Sequence, residues 1–167
     1  MPLIKHGRWA DDPWTTAATD EEIPAGAPVI VDLDLWRERR EALAGRNAPL
    51  GVRLKSDQPP EEIADDLPRL QVVALEFPKF TDGRAYSAAR LLRERYGFTG
   101  EVRAVGQVLR DQAAFLLRCG FDAFEVAEGT SLEAWNRAAR GLGIVYQPAA
   151  DGAPHVPWLR HRRAAAE

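Results

Sequence analysis

The stretch LQVVALEFPKFTDGRAYSAARLLRERYG, residues 70–97, contains the alternation that decides the fold. It opens with an apolar, β-branched run of the kind found in strands that are buried on both faces. A short polar loop follows, and then a segment whose apolar residues recur at helical spacing until Gly97, a typical helix end. The stretch therefore predicts one βα unit of a parallel sheet.

The same rhythm extends over most of the chain. Apolar runs predict strands at 28–36, 49–55, 70–77, 101–108, 121–127 and 144–147. Helical spacing predicts helices at 37–44, 60–67, 84–96 and 109–119, and one that begins with a capping box of Thr130 and Glu133. The helix at 109–119 is expected to bury one apolar stripe, formed by Leu109, Ala113, Leu116 and Leu117. We therefore expect an α/β fold of repeated βα units with a mainly parallel sheet. Because six strands are fewer than the eight of a closed barrel, the sheet is expected to be open or an incomplete (half) TIM-like barrel.

The ends of the chain differ from this pattern. Residues 1–27 contain several Pro and Gly residues without periodicity and predict an irregular N-terminal arm, followed by a single α/β domain at 28–147 and a tail at 148–167. Trp9 and Trp14 indicate that the arm packs on something. Two interpretations stay open, since these residues, with Trp158, either cover their own domain or hold a partner.

Composition excludes several classes of function. The net charge of −3 and the pI of about 5.7 argue against nucleic-acid binding. No apolar window approaches the length of a membrane helix, so we expect neither a membrane protein nor a standard export signal. The single cysteine, Cys119, excludes an intrachain disulfide and fits a reducing cytoplasm. Its place before Gly120 in a predicted helix is typical of a small buried thiol.

The sequence predicts neither a metal site nor a bound cofactor. His6, His155 and His161 all lie in the irregular ends, without the close spacing of a helical metal pair. The glycine patterns of dinucleotide and phosphate loops do not occur in the chain. No cofactor is therefore evident.

Candidate binding residues follow the predicted strands, because ligands of parallel sheets bind beyond the carboxyl ends of the strands. Arg84 has the planar group that grips an oxyanion through two hydrogen bonds. The alternative, left open here, is that Asp82-Gly83 is only a turn and that Arg84 pairs with Asp82 or Asp111. The predicted oxyanion-binding residues from these junctions are Lys79, Thr81, Gly83, Arg84, Gln107 and Arg110.

Two carboxylates are candidates for a general base. Asp82 follows the third predicted strand and Glu128 follows the fifth. Proton transfer needs a partner and a raised pKa, which the sequence does not reveal. The catalytic residues therefore stay unknown at this stage.

The central block FPKFTDGRAYSAARLLRERYGFTGEVRAVGQVLRDQAAFLLRCGFDAFEV, residues 77–126, resembles a bacterial family of small proteins encoded beside sulfite reductase. That family is commonly described as an oxidoreductase involved in sulfite reduction. The resemblance implies a role in cytoplasmic sulfur metabolism, with sulfite reductase or its electron donor as partner. It also brings Arg103 into the expected pocket, in which Lys79 and Arg84, with Arg103 or Arg110, would surround a small oxyanion such as sulfite or sulfate.

Three functions are consistent with these residues. The first is an accessory protein of assimilatory sulfite reduction that binds an oxyanion, the sulfite reductase, or both. The second is a stand-alone oxidoreductase acting in sulfite reduction, and the third is a pure protein-interaction module. Whether the protein is an enzyme stays open, as does a homo-oligomer in which two copies complete the incomplete barrel.

Overall fold

A computed structural model of the chain describes residues 1–141 and 149–150. The predicted strand at 144–147 lies outside the described residues, and so do Trp158, His155 and His161. All structural statements below concern the described part of the chain.

Eight strands and four α-helices make up the described regular structure. The strands are β1 Leu3–Lys5, β2 Arg8–Ala10, β3 Thr15–Ala17, β4 Val29–Asp32, β5 Leu50–Leu54, β6 Val72–Phe77, β7 Glu101–Gly106 and β8 Ala123–Glu125. The α-helices are α1 Leu33–Ala44, α2 Arg84–Arg90, α3 Ala113–Cys119 and α4 Leu132–Ala139. A π-helical turn, Leu91–Arg95, continues α2, and 3-10 helices occupy Asp20–Glu22, Pro60–Arg69 and Arg110–Gln112.

The described strands form one sheet in the order β2-β1-β8-β7-β6-β5-β4-β3. From β3 to β8 each strand lies parallel to the next in the chain, and β1 and β2 add an antiparallel hairpin beside β8. The sheet is curled and open, as a half barrel. The predicted α/β class and the mainly parallel, open sheet are therefore confirmed.

The sheet has two different faces because side chains alternate along each strand. Val73, Leu75 and Phe77 of β6 belong to the large core that also contains the buried residues of the helices. The opposite face, which we call the helix-free face, carries a small cluster of Ile30, Val72, Ala74 and Val105, on which Trp14 packs. Burial on both sides explains why the central strands read as continuous apolar runs.

The N-terminal residues differ from their prediction. Residues 1–27 were predicted to be irregular, whereas they contain β1, β2 and β3. His6 and Gly7 adopt positive φ angles of 51° and 71° and make the tight turn between β1 and β2. Strands of three residues are too short to show a period of two, which is why no pattern was visible. Trp14 covers its own sheet, as one of the two interpretations expected.

Helix boundaries also need correction. α1 begins at Leu33 rather than at residue 37, because Leu33, Leu35 and Trp36 are buried against the sheet. The predicted helix at 84–96 changes from α to π geometry after Arg90, and the predicted helix at 109–119 is α-helical only from Ala113. Leu109, predicted to be buried, lies before the helix and is exposed. Cys119 is buried at the end of α3, as predicted.

The predicted capping box of α4 is absent. Ser131 accepts the hydrogen bond from the backbone N–H of Ala134 at 3.3 Å. The hydroxyl of Thr130 donates instead to the carbonyl oxygen of Ala127 at 2.6 Å. The helix thus begins one residue later than the spacing suggested.

Arg93, in the π-helical turn, connects the helical layer to the sheet through hydrogen bonds. Its guanidinium donates to the carbonyl oxygens of Phe98, Gly100 and Gly120 at 2.6, 2.7 and 3.0 Å, and to the Asp122 carboxylate at 2.9 Å. Only 18% of the Arg93 side chain is exposed. One cation therefore satisfies backbone groups that precede both β7 and β8.

We expect Arg93→Met to lower the free energy of unfolding by about 2–4 kcal/mol, because it leaves partly buried carbonyls and a carboxylate without their donor. Arg90→Met, in the same helix, removes only an exposed pair with Glu94 and is expected to cost about 0.5 kcal/mol or less. Urea unfolding of both variants measures the difference. Equal losses would show that the Arg93 network does not stabilise the fold.

Candidate functional site

The candidate site is the edge of the sheet at which β5, β6, β7 and β8 reach their carboxyl ends, called here the carboxyl edge. Because these strands are parallel neighbours, the segments that follow them lie side by side. Those segments are 55–59, 78–83, 107–112 and 126–131. They contain most of the residues predicted from the sequence.

Arg84, the first predicted oxyanion ligand, is already paired. Its Nε and Nη2 atoms donate to Oδ1 and Oδ2 of Asp82 at 3.0 and 2.7 Å, and its backbone N–H donates to the same carboxylate at 3.2 Å. Nη2 also donates to the Ser56 hydroxyl at 2.9 Å. The pairing with Asp82, one of the alternatives that the sequence leaves open, is therefore present.

The hydrogen bonds also fix the direction of the Arg84 side chain. Ser56 follows β5, which lies on one side of β6, whereas Arg110 follows β7 on the other side. The guanidinium of Arg84 reaches toward β5, where it lines a groove of about 230 Å³ together with Ser56 and Ser87. Arg84 is therefore directed away from the segment that carries Arg110.

Asp82 is poorly suited to act as a general base. The side chain of Arg84, and after it the hydroxyl of Ser56, hold the pKa of Asp82 well below its ordinary value. A general base works best with a pKa near the working pH. Glu128, the second candidate, is exposed after β8, and β7 separates that strand from β6.

A second group of charges on the β5 side is also paired. The carboxylate of Asp34 accepts hydrogen bonds from Arg37 at 2.7 Å and from Lys55 at 3.3 Å. The backbone N–H of Lys55 donates to the Gln58 side chain at 2.8 Å. The β5 side of the carboxyl edge is therefore a network of mutually neutralised groups.

Two glutamines join the segments that follow β6 and β7. The backbone N–H of Phe80 donates to Oε1 of Gln107 at 3.3 Å, and Nε2 of Gln112 donates to the carbonyl oxygen of Phe80 at 3.1 Å. Oε1 of Gln112 accepts the backbone N–H of Leu109 at 3.0 Å. Gln107, predicted to bind an oxyanion, thus has its side-chain oxygen engaged with the chain itself. These contacts, the glutamine clamp, hold Phe80 and Leu109 in place.

Large apolar side chains are exposed beside this clamp. Phe80, Leu109 and Phe115 are 55%, 41% and 54% exposed, and they are three of the five exposed large hydrophobic residues among those described. The Phe115 ring packs edge-on against Tyr86, with ring centroids 4.7 Å apart. Tyr86 and Phe115 lie in the first turns of α2 and α3, which begin at the carboxyl edge.

Cations flank these apolar residues. Lys79 precedes Phe80 and Arg110 follows Leu109, and both are exposed. Neither forms a salt bridge with another described residue. Their charges are therefore available to a binding partner, unlike that of Arg84.

Arg103 does not lie at the carboxyl edge, and its predicted place in an oxyanion pocket needs correction. It stands in the middle of β7, is 1% exposed, and points to the side of the sheet that carries Glu101. Its guanidinium binds Asp12 at 2.7 and 3.1 Å, Glu101 at 2.7 Å and Glu125 at 3.4 Å. The three carboxylates outnumber the Arg103 guanidinium and the Lys5 ammonium beside them, so the cluster carries a net negative charge that disfavours an anion.

Two other predicted residues, Thr81 and Gly83, lie at the carboxyl edge in ordinary turn geometry. Thr81 is exposed in the turn closed by the Asp82 N–H and the Lys79 carbonyl oxygen, 2.9 Å apart. Gly83 has a φ of −89°, and an added Cβ would meet the Tyr86 ring at an ordinary 3.6 Å. The backbone there does not itself require glycine.

Sequence reasoning missed the apolar part of the site. The helical spacing predicts that Leu109 is buried, and it does not mark Phe115 as a site residue. The available signal was that Phe115 falls outside the stripe formed by Ala113, Leu116 and Leu117. A large aromatic residue on the polar side of a short helix is a sign of an exposed contact surface.

Two further observations limit the chemistry of the described residues. They contain no group of three or more His, Cys, Asp or Glu side chains placed to hold a metal ion. Among the described helices, none has both the length and the apolar character needed to cross a bilayer.

The fold and the site together define an α/β protein with a curled, mostly parallel sheet and with exposed apolar and cationic side chains at its carboxyl edge. Comparison with protein families matches residues 51–156 to a family described as "Bacterial protein of unknown function (DUF934)", and the chain belongs to this family. The match begins at β5, so it includes the whole carboxyl edge from β5 to β8. Neither the curated proteins nor the solved structures gave a match to the chain.

We expect the Asp82 carboxylate to stay ionised as the pH falls through its ordinary pKa of 3.8, because Arg84 lowers the folded-state pKa. The contribution of this pair to stability is therefore fully present above the ordinary pKa, declines as the pH falls below it, and is lost once the pH has fallen through the lower, folded pKa. Carboxyl-carbon NMR titration of the folded protein follows Asp82 directly.

Two variants serve as controls for this titration. Arg84→Met should move the midpoint up toward 3.8, and Ser56→Ala should move it in the same direction by less, since Arg84 is the larger cause. An unchanged midpoint in Arg84→Met would show that the pair does not form in solution.

Proposed function

We propose that this protein is an accessory protein of assimilatory sulfite reduction that uses its carboxyl edge to bind the sulfite reductase or the electron donor of that enzyme. The pathway comes from the resemblance of residues 77–126 to proteins encoded beside sulfite reductase. The proposal takes the curled sheet as half of a TIM-like barrel built from repeated βα units, whose ligands bind at the carboxyl ends of the strands. It places the protein in the cytoplasm.

The observation that carries this proposal is the contrast between the two sides of the carboxyl edge. On the β5 side, Asp34 and Arg84 are neutralised by their own neighbours. On the β7 side, the glutamine clamp presents Phe80 and Leu109 to solvent between the unpaired charges of Lys79 and Arg110. Rigid, exposed apolar groups with a charged rim are the composition of a protein-binding surface.

The geometry supports binding more than proton-transfer catalysis. Asp82 is committed to Arg84 with a lowered pKa, which opposes a role as base in a stand-alone oxidoreductase. A small oxyanion such as sulfite fits the proposal as a second ligand, held by Lys79 and Arg110 rather than by Arg84 or Arg103. The exposed aromatic residues, however, are explained by a protein partner and not by a hydrated anion.

A growth experiment tests the pathway. Deletion of the gene is expected to slow growth when sulfate or sulfite is the sole sulfur source, and to leave growth on cysteine unchanged. The wild-type gene should restore growth, whereas a Lys79→Glu, Arg110→Glu variant should not, because reversed charges repel the partner.

The matched control reverses the charge of two exposed arginines, in the variant Arg95→Glu, Arg140→Glu. Both residues lie at the carboxyl ends of their helices, away from the carboxyl edge of the sheet, so this variant should restore growth like the wild type. Normal growth of the deletion strain on sulfate and sulfite would refute the proposal. Failure of both double variants would point to lost stability, which thermal unfolding of the purified proteins detects.

A further inference from the structure

We propose that Phe80, Leu109 and Phe115, with Lys79 and Arg110, form one docking site for an acidic segment of a partner protein that carries its own apolar side chains. These five residues are called the docking patch below. The proposal deepens the proposed function by naming the chemistry of the partner, and it rests on that function only for the identity of the partner.

The first argument is the cost of the exposed apolar surface. The chain buries most of its large apolar side chains in one continuous core, yet it leaves Phe80 and Leu109 exposed on two neighbouring connections and Phe115 exposed in the first turn of α3. Concentrated exposed apolar area on a soluble domain marks an interaction site more often than scattered single residues do. Aromatic residues are also the usual anchors of protein interfaces.

The second argument is rigidity. Both the N–H and the carbonyl oxygen of Phe80 are held by glutamine side chains, and Gln112 also holds the N–H of Leu109. Phe115 is fixed by its contact with Tyr86, whose ring packs in turn on Phe77 in the core, at 5.1 Å between centroids. A surface ordered before binding loses less conformational entropy when a partner docks.

The third argument is charge. The protein has a net charge of −3, but the two charged residues directly beside Phe80 and Leu109 are unpaired cations within the described structure. Acidic groups on the partner would complement them and speed association. The chain's own C-terminal sequence WLRHRR, residues 158–163, is basic, so its charge does not complement the patch.

The experiment uses the full-length, isotope-labelled protein and a short peptide of Asp and Glu residues around a central Trp-Leu pair. We expect the peptide to shift the backbone NMR signals of residues 79–81 and 109–115, with binding that weakens as salt is added. A peptide with Lys in place of every acidic residue, and one with Gly-Ser in place of Trp-Leu, should shift them much less.

Variants test the apolar contacts of the docking patch. Phe80→Ser with Leu109→Ser should weaken peptide binding about tenfold or more, since two apolar anchors are lost. Trp9→Ser is the matched control, because Trp9 is also exposed, at 46%, but lies on β2. All these side chains are exposed, so the variants should melt close to the wild-type temperature.

Each outcome decides for or against the docking patch. The inference is overturned if the acidic Trp-Leu peptide leaves the NMR signals of residues 79–81 and 109–115 unshifted. It is also overturned if Trp9→Ser weakens peptide binding as much as the double variant does. If sulfate alone produces the shifts and the peptide adds none, the patch is an anion site and the inference again fails. If the wild type sediments as a dimer that Phe80→Ser dissociates, a second copy occupies the patch and the acidic partner is refuted.

A second titration distinguishes the docking patch from the proposed function. Purified sulfite reductase and its electron donor replace the peptide in the same titration. Peptide binding at the patch without binding of either protein supports the docking patch and refutes the proposed function. Reductase binding that the double variant leaves unchanged supports the proposed function and overturns the inference.

Discussion

Strands β6 and β7 stay hydrogen-bonded to each other up to their last residues because residue 106 is glycine. Phe77 pairs with Gly106, and the N–H of Gln107 donates to the Phe77 carbonyl oxygen at 2.8 Å. Gly106 has a φ of +90°, and a Cβ there would lie 2.5 Å from that same oxygen. Only glycine tolerates both the angle and the approach. The adjacency of the two following connections, and with it the glutamine clamp, depends on this contact.

The division of the carboxyl edge into a neutralised side and an available side follows from local chemistry. Asp82 and Arg84 are two residues apart in a turn, so their pairing costs little conformational entropy and precedes any ligand. Lys79 and Arg110 form no salt bridge with a described residue, although the exposed Asp111 follows Arg110 in the chain. The sequence shows all four charges but not which of them are already paired, because pairing depends on side-chain direction across neighbouring strands.

Much of the fold was predictable, and the reasons for the failures are specific. The central strands β4 to β7 were visible because burial on both faces makes continuous apolar runs. β1 to β3 were not, since three residues carry no period and their pairing partners are remote in sequence, as with Leu3 and Glu125. Arg103 could have been recognised as a strand residue: it alternates with Val102 and Ala104, which places it on the same face as Glu101. The resemblance to a family carried it into the pocket instead.

The helix-free face explains why the proposed binding surface lies at the edge of the sheet and not on the sheet itself. Most of its charged groups are paired within the chain: Arg103 is enclosed by Asp12, Glu101 and Glu125, and Nη2 of Arg53 pairs with Glu76 at 3.1 Å, while the buried Nε of Arg53 has no partner among the described residues. Such pairs offset the desolvation of each charge and would be costly to open for a ligand. Asp12 also fastens the segment between β2 and β3 across this face, where Trp14 covers the small apolar cluster. The N-terminal residues cover part of that face and leave a cavity of about 150 Å³ beside Ile30, Arg53 and Ala74. In the described structure, the exposed apolar and cationic groups after β6 and β7 are better prepared to meet a protein partner than this small cavity is.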